Sequence, residues 1–379
     1  MMKRVKNVAG ILVLLMLGLT IGGLAGEVIV RNFAPQRLDS FRPIYDPDPD
    51  LVYKLRKNYH ATYSQPEFQI DEATNSIGIR DHEVGPKDST VERVLGLGDS
   101  FSYSNSVNLN DTFFKTIERS LSKTRPVEVL DAAVPAYSTI QELRYLEKYG
   151  VHLDPDVVLL GFYVGNDFQD SWELFDSTGA PTVDVVNGVL HVNSRFPGAM
   201  YENQERSLRT ATAALRVFFA EHSELYVFLR ERFSETLWRL GLRNNPPPAD
   251  FCEKKFSPEM EKGWALEQKL LMEFKNFTAA HHERFILLAL PTQYQVHEEL
   301  WQHHFTTFHL DPSKYDLEKP QKLLAEYCRQ NGIEYIDALP ALRAAGKNQV
   351  LFYRIASYMN PNGHRVVGDL VTSYLQQHP

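Results

Sequence analysis

Three short apolar runs, each ending in a tight turn, constrain this chain more than any other feature. Arg93 to Leu97 (RVLGL) stops at Gly98-Asp99-Ser100, Val127 to Leu130 leads into Val134-Pro135-Ala136-Tyr137-Ser138-Thr139, and Asp156 to Tyr163 (DVVLLGFY) ends at Gly165-Asn166-Asp167. Runs that are apolar throughout, rather than alternating, suit strands covered on both faces. Between them, Asn110 or Asp111 caps a helix through about Leu121, and Ser138-Thr139-Ile140-Gln141 opens another with a capping-box pattern closed at Gly150. The order is βαβαβ, which predicts a parallel sheet between two helical layers. It resumes at Arg284 to Leu290, with a helix near Gln321 to Gln330, a strand at Glu334 to Ile336 and a last helix beginning near Gly363.

The remaining sequence divides around that core. Lys3, Arg4 and Lys6 precede Val8 to Gly26, a stretch without charge and close to the roughly 20 apolar residues a helix needs to cross a bilayer. The basic end stays cytoplasmic, so the main domain is expected to be extracytoplasmic, periplasmic or extracellular, behind a membrane anchor over residues 1–31. Gly23 and Ala25 also resemble the small residues before a signal-peptidase cut, and a cleaved signal peptide, giving a secreted protein, is the alternative. Residues 41–90 read as a small β-rich lead-in and 91–379 as the main domain, with an insertion over 171–265. That insertion holds a turn-rich piece around Asp176 to Pro197, apolar residues at helical spacing from Leu208 to Leu242, and a Pro-rich break at Asn245 to Ala249.

The formal charge is −8, and more negative once the three N-terminal basic residues are set aside, so a nucleic-acid partner is not expected. Only Cys252 and Cys328 occur, without CxxC spacing, which allows one bridge at most. His281-His282 and His303-His304 match no metal-ligand pattern, and neither a metal nor a cofactor is expected.

Together, Gly98-Asp99-Ser100, the Ala136 turn, Gly165-Asn166-Asp167 and the block Asn360-Pro361-Asn362-Gly363-His364 resemble the SGNH/GDSL hydrolase superfamily, from about Arg93 to Leu375. The resemblance implies a three-layer α/β/α, flavodoxin-like fold, here with a helical insertion and an N-terminal transmembrane helix. It implies Ser100 as nucleophile, with the Ser100 N–H, the Ala136 N–H and the Asn166 side chain as oxyanion donors. It also exposes departures. Anchored on Asn360-Pro361 and Gly363-His364, the family's catalytic His position is Tyr358, and its Asp position is Ala356, or Ile355 in the other spacing. A serine without an adjacent base is a weak nucleophile. Ala136, Ser104 and Ser106 also stand where glycine is usual in the family. His364 is the first candidate for a replacement base, with His303 and His304 behind it. Asp99 and Asp167 are expected to cap turns rather than act as bases.

Two functions follow. One is an ester hydrolase or acyl-transfer protein acting on acyl, chiefly acetyl, esters through a Ser100 acyl-enzyme; the resemblance implies a carbohydrate or envelope glycan as substrate. The other is a catalytically degenerate protein for glycan binding or assembly within an envelope polysaccharide system, with Tyr358 stacking on a sugar. A third role, an anchored scaffold whose Leu208 to Leu242 helices meet a membrane partner, rests on amphipathic spacing alone.

Overall fold

A computed structural model describes residues 2–38, 43–168, 183–186, 189–192, 211–239 and 250–378. The turn-rich piece around Asp176 to Pro197, apart from one strand pair, and the break at Asn245 to Ala249 lie outside the described residues. The described chain forms two compact units, one drawn from Met1–Arg42, Gln65–Glu67 and Gln204–Asn245, the other from Pro43–Ser64, Phe68–Asn203 and Pro246–Pro379.

In the first unit, helix α1 (Met2–Phe33) contains Val13–Phe33, long and apolar enough to cross a membrane. In the second, the lead-in supplies two antiparallel strand pairs, β1 (Tyr45–Asp48) with β2 (Val52–Leu55) and β3 (His60–Gln65) with β4 (Phe68–Ala73). The three apolar runs become β5 (Glu92–Gly98), β6 (Val127–Asp131) and β7 (Val157–Tyr163), separated by α2 (Phe113–Leu121) and α3 (Thr139–Lys148). Thr112, not Asn110 or Asp111, caps α2, accepting from the Lys115 N–H, because a single 3-10 turn at Leu109–Asp111 intervenes. Ser138 and Gln141 form the expected capping box on α3.

A short antiparallel pair, β8 (Val183–Val186) and β9 (Val189–Val192), comes next. Helices α4 (Ala211–His222) and α5 (Glu224–Arg239) belong to the first unit. The second unit continues with α6 (Pro258–Ala280), β10 (Arg284–Leu290), α7 (Gln293–Val296), α8 (Glu298–Phe308), α9 (Lys319–Asn331), β11 (Glu334–Asp337), α10 (Leu339–Gly346) and α11 (Pro361–Gln377). The last helix starts two residues before Gly363: the Asn360 carboxamide accepts the Asn362 and Gly363 N–H groups at 2.9 and 3.2 Å, and Pro361 takes the first helical position, where a missing N–H costs nothing.

The five strands β11-β10-β7-β5-β6 form one parallel sheet. With strands ranked by chain order this is 2-1-3-4-5, the flavodoxin-like arrangement, so the fold is the three-layer α/β/α one expected. Strand order reverses between β5 and β7, and in such sheets ligands bind outside the strand carboxyl ends at that reversal. Gly98 and Gly161 sit opposite each other there. A Cβ on either would run into the Ser102 hydroxyl, and Gly98 has φ +145, so only glycine fits beside the turn that carries Ser100.

Candidate active site

Ser100 emerges half-buried at the carboxyl end of β5, directly after the fully buried Asp99. The Asp99 carboxylate organises the turn: Oδ1 accepts the Phe101 N–H at 2.8 Å, Oδ2 lies 3.4 Å from the Ser100 hydroxyl, and the Asn166 side chain donates to the same carboxylate. Asp99 is thus the cap expected, and Asn166 is brought to Ser100's neighbour from the end of β7. Asp167 plays the corresponding part on β7, accepting the Tyr163 N–H at 2.7 Å. Burial pushes the Asp99 carboxyl up to about 6, against the pull of these hydrogen bonds.

The third element is the Ala136 turn after β6. Ala136 has φ +63, the left-handed conformation that its Cβ penalises. What holds it there comes from the lead-in: the Tyr53 hydroxyl on β2 donates to the Ala136 carbonyl at 2.8 Å, and the Tyr137 hydroxyl donates back to the Tyr53 carbonyl at 2.6 Å. Both tyrosines are nearly inaccessible. The sequence gives no hint of this bracing, because Tyr53 lies far from Ala136 in the chain and in no motif.

Ser104 and Ser106 belong to a loop bonded to the last block. Ser106 donates to the Met359 carbonyl at 2.7 Å, Asn105 reaches the Tyr358 hydroxyl at 3.4 Å, and the Ser104 hydroxyl lies 3.4 Å from His364 Nδ1. Ser104 takes the left-handed conformation, φ +64. Arg80, fully buried, ties the same loop from below by donating to the carbonyls of Tyr103, Ser104 and Val107. Arg80 stands in the lead-in between Ile79 and Asp81, outside every motif, and carries no sequence signal for that role.

His364 therefore sits against Ser104, not Ser100. It is 1% exposed and parallel to the Phe113 ring, and burial, with the Arg80 cation nearby, lowers it to about 3. The Ser104 hydroxyl also reaches the Ser102 carbonyl, at 3.0 Å. A neutral, enclosed imidazole of this kind is a packing group rather than a base. His304 is packed among Trp301, Phe308 and Tyr294, while His303 lies 3.5 Å from Thr307 one turn on. The two cysteines are free and buried.

The last block keeps its backbone form. Phe352 and Met359 pair across it, the Tyr353 N–H donates to the Tyr358 carbonyl at 2.9 Å, and Ser357 turns through φ +61 with its hydroxyl held by Gln293 at 2.6 Å. Ala356 is buried, and the Tyr358 ring lies 5.0 Å from Phe101, which stacks on Tyr163 at 3.6 Å. Tyr358, at the position where the resemblance implies an imidazole, thus packs on Phe101, the next residue after Ser100 in the chain. Burial, with Asp99 and Tyr358 nearby, pushes the Tyr163 hydroxyl well above its usual value and keeps it neutral. Phe101 and Tyr163 went unmarked in the sequence because each reads as an ordinary core aromatic.

A separate cavity of about 400 Å³ opens at the amino ends of β5 and β6, but its charged groups are spent on one another, Lys115 on Asp81 at 2.7 Å and Arg93 on Glu128 at 2.7 Å.

No family model matches the sequence, and no curated protein does. Similar solved structures include a lipolytic protein of the G-D-S-L family from Desulfitobacterium hafniense DCB-2, at 12% identity over 74% of this chain and 98% of that one, TM-score 0.37. The lipase/acylhydrolase from Enterococcus faecalis is 12% identical over 76% of this chain and 96% of that one, TM-score 0.39. A mutant acetyl-xylooligosaccharide esterase from Geobacillus Stearmophilus is 11% identical over 74% and 93%, TM-score 0.39. The 2-1-3-4-5 parallel sheet and its strand-end turns are the three-layer α/β/α, flavodoxin-like arrangement that the SGNH/GDSL resemblance implies.

Proposed function

We propose that this chain is an SGNH-type serine ester hydrolase or acyl-transfer protein in which Asp99, rather than a histidine, serves as the base. The observation that carries this is the meeting of Ser100, Asp99 and Asn166 at the reversal point between β5 and β7. Ser100 Oγ attacks the acyl carbon and its proton passes to Asp99 Oδ2. The collapsing intermediate expels the alkoxide, which takes that proton from Asp99, and leaves the acyl on Ser100. Water, or an acceptor hydroxyl for transfer, then attacks the acyl carbon with the same carboxylate receiving its proton; the acyl–Oγ bond breaks, and Asp99 returns that proton to Ser100 Oγ. The 3.4 Å separation is long for a catalytic hydrogen bond, as is common before substrate binds. An Asn amide has two N–H groups; one serves Asp99, and the second joins the Ser100 and Ala136 N–H groups on the oxyanion. Removing one such donor costs about 2.7–4 kcal/mol of barrier lowering.

The substrate in this proposal is an acetyl or similar short acyl ester on a carbohydrate or envelope glycan. The partly exposed Tyr163 and Tyr358 rings, packed on buried Phe101, suit the carbon-bound hydrogens of a sugar ring, and α1 is long enough to hold the domain at a membrane. The opposing function, glycan binding or assembly without turnover, draws on one observation: Ala356 and Tyr358 leave neither carboxylate nor imidazole at the two positions where the resemblance implies the acid and the base. Hydrolysis of a small activated acetyl ester by the full chain, beside Ser100→Ala, separates the two. Turnover lost in the variant supports the hydrolase, and equal background rates support the binding protein.

A further inference from the structure

In the first unit, α4 and α5 meet at a corner formed by Ser223 alone, and that corner is fastened to α1. The Glu27 carboxylate accepts the Ser223 hydroxyl at 2.7 Å and the Glu224 and Leu225 N–H groups at 2.9 and 3.1 Å, so a side chain of α1 caps the start of α5. Arg31, paired with Glu27 at 2.8 Å, donates to the His222 carbonyl at the end of α4. The Gln36 N–H reaches Glu224 at 2.7 Å. Gly26 lets Leu225 approach so closely that a Cβ there would meet the leucine methyl at 2.9 Å. These contacts begin where the charge-free run of α1 stops, at Gly26 and Glu27.

Beyond the corner, both helices leave large apolar side chains uncovered. On α4 these are Leu215, Phe218 and Phe219, across the helix from buried Ala220; on α5 they are Leu229 and Phe233, across from buried Val227. Leu229 at 55% and Phe233 at 66% are as exposed as Leu17 at 54% and Leu24 at 65% within the apolar run of α1. Isolated exposed apolar residues are ordinary, but helical stripes on two adjoining helices mark a covered surface.

We infer that α4 and α5 form an interfacial membrane element, lying with the Leu215–Phe219 and Leu229–Phe233 stripes in the lipid at the outer end of α1. The occupant is lipid rather than a second protein because the corner is pinned to α1 within one turn of the end of its apolar run, the depth at which a bilayer gives way to its headgroups. The capping has the same logic. A helix start placed at that depth has little water for its first N–H groups, and Glu27 satisfies two of them. The inference rests on α1 crossing a bilayer and is independent of the chemistry at Ser100.

The test uses the full chain in phospholipid vesicles with a fluorescent thiol label at Phe219→Cys or Phe233→Cys. Leu17→Cys reports on α1, Glu326→Cys on the water phase, and the parent chain, with its two buried cysteines, serves as the blank. Leu229→Cys repeats the measurement should a phenylalanine variant fail to fold. The expected result is loss of about half the emission to a lipid-borne quencher and little to aqueous iodide, as for Leu17→Cys and opposite to Glu326→Cys. Quenching by iodide instead would place the stripes in water and overturn the inference. Protection from both quenchers would show that protein covers them, with the same consequence. A Leu17→Cys label untouched by lipid would remove the premise.

Discussion

The turn at Gly98–Ser102 and the block at Tyr353–His364 meet where the Phe101 and Tyr358 rings pack at 5.0 Å, yet they follow the SGNH/GDSL pattern in different ways. The first keeps both the residues that shape the backbone, Gly98 with Gly161 opposite, and those to which the proposal assigns chemistry, Asp99 and Ser100. The second keeps only the shaping residues. Asn360 caps the helix, Pro361 opens it, His364 fills the space under Ser104, and a Cβ at Gly363 would meet the Leu351 carbonyl at 2.5 Å. Its acid and base positions hold Ala356 and Tyr358. A fold's packing and its proton transfer can therefore vary separately, because different atoms of the same segment serve them.

That contrast predicts effects of graded size. Ser100→Ala is expected to lower hydrolysis of an activated acetyl ester by about 10³-fold or more while leaving thermal unfolding unchanged, since the hydroxyl contributes chemistry and little packing. Gly98→Ala tests the shaping role at the same turn. Overpacking against Ser102 plus a φ of +145 should destabilise by about 3 kcal/mol, read as a lowered melting temperature. An unchanged melting temperature would show that the turn relaxes freely.

In the other region, Ala356→Asp combined with Tyr358→His supplies what the block lacks and should raise turnover by about 10²-fold. No gain in a folded double variant would mean that the block's backbone no longer aims at Ser100. The smallest effect is expected at the turn after β6. Ala136→Gly relieves a left-handed alanine and should stabilise by up to about 1 kcal/mol, with no loss of activity.

The succession of strands along the chain and the strand-end turns were legible in the sequence because continuous apolar runs and glycine turns are local signals, whereas the flavodoxin-like order of the sheet followed only from the family resemblance. So was the capping box at Ser138. Asp99 reads in the sequence as a cap and not as a base, and the second role proposed for it rests on its place beside Ser100 and Asn166 in the fold. Long-range braces were not. Tyr53 on the Ala136 carbonyl and Arg80 under the 103–107 loop each join segments far apart in the chain, and neither residue type announces such a contact. The surroundings of His364 were hidden for a related reason: its residue type suits proton transfer, but its burial against Ser104 is a property of the folded core.

The most direct test of the account is the pH–rate profile of the full chain on a small activated acetyl ester, beside Ser100→Ala and His364→Gln. Asp99 acts as a base only when ionised, so the rate should climb with pH through an apparent pKa near 6 and then level off. The same profile should persist in His364→Gln and vanish in Ser100→Ala. Loss of the inflection in His364→Gln would assign proton transfer to the imidazole and contradict the role given to Asp99. Negligible rates in all three proteins at every pH would contradict the hydrolase itself.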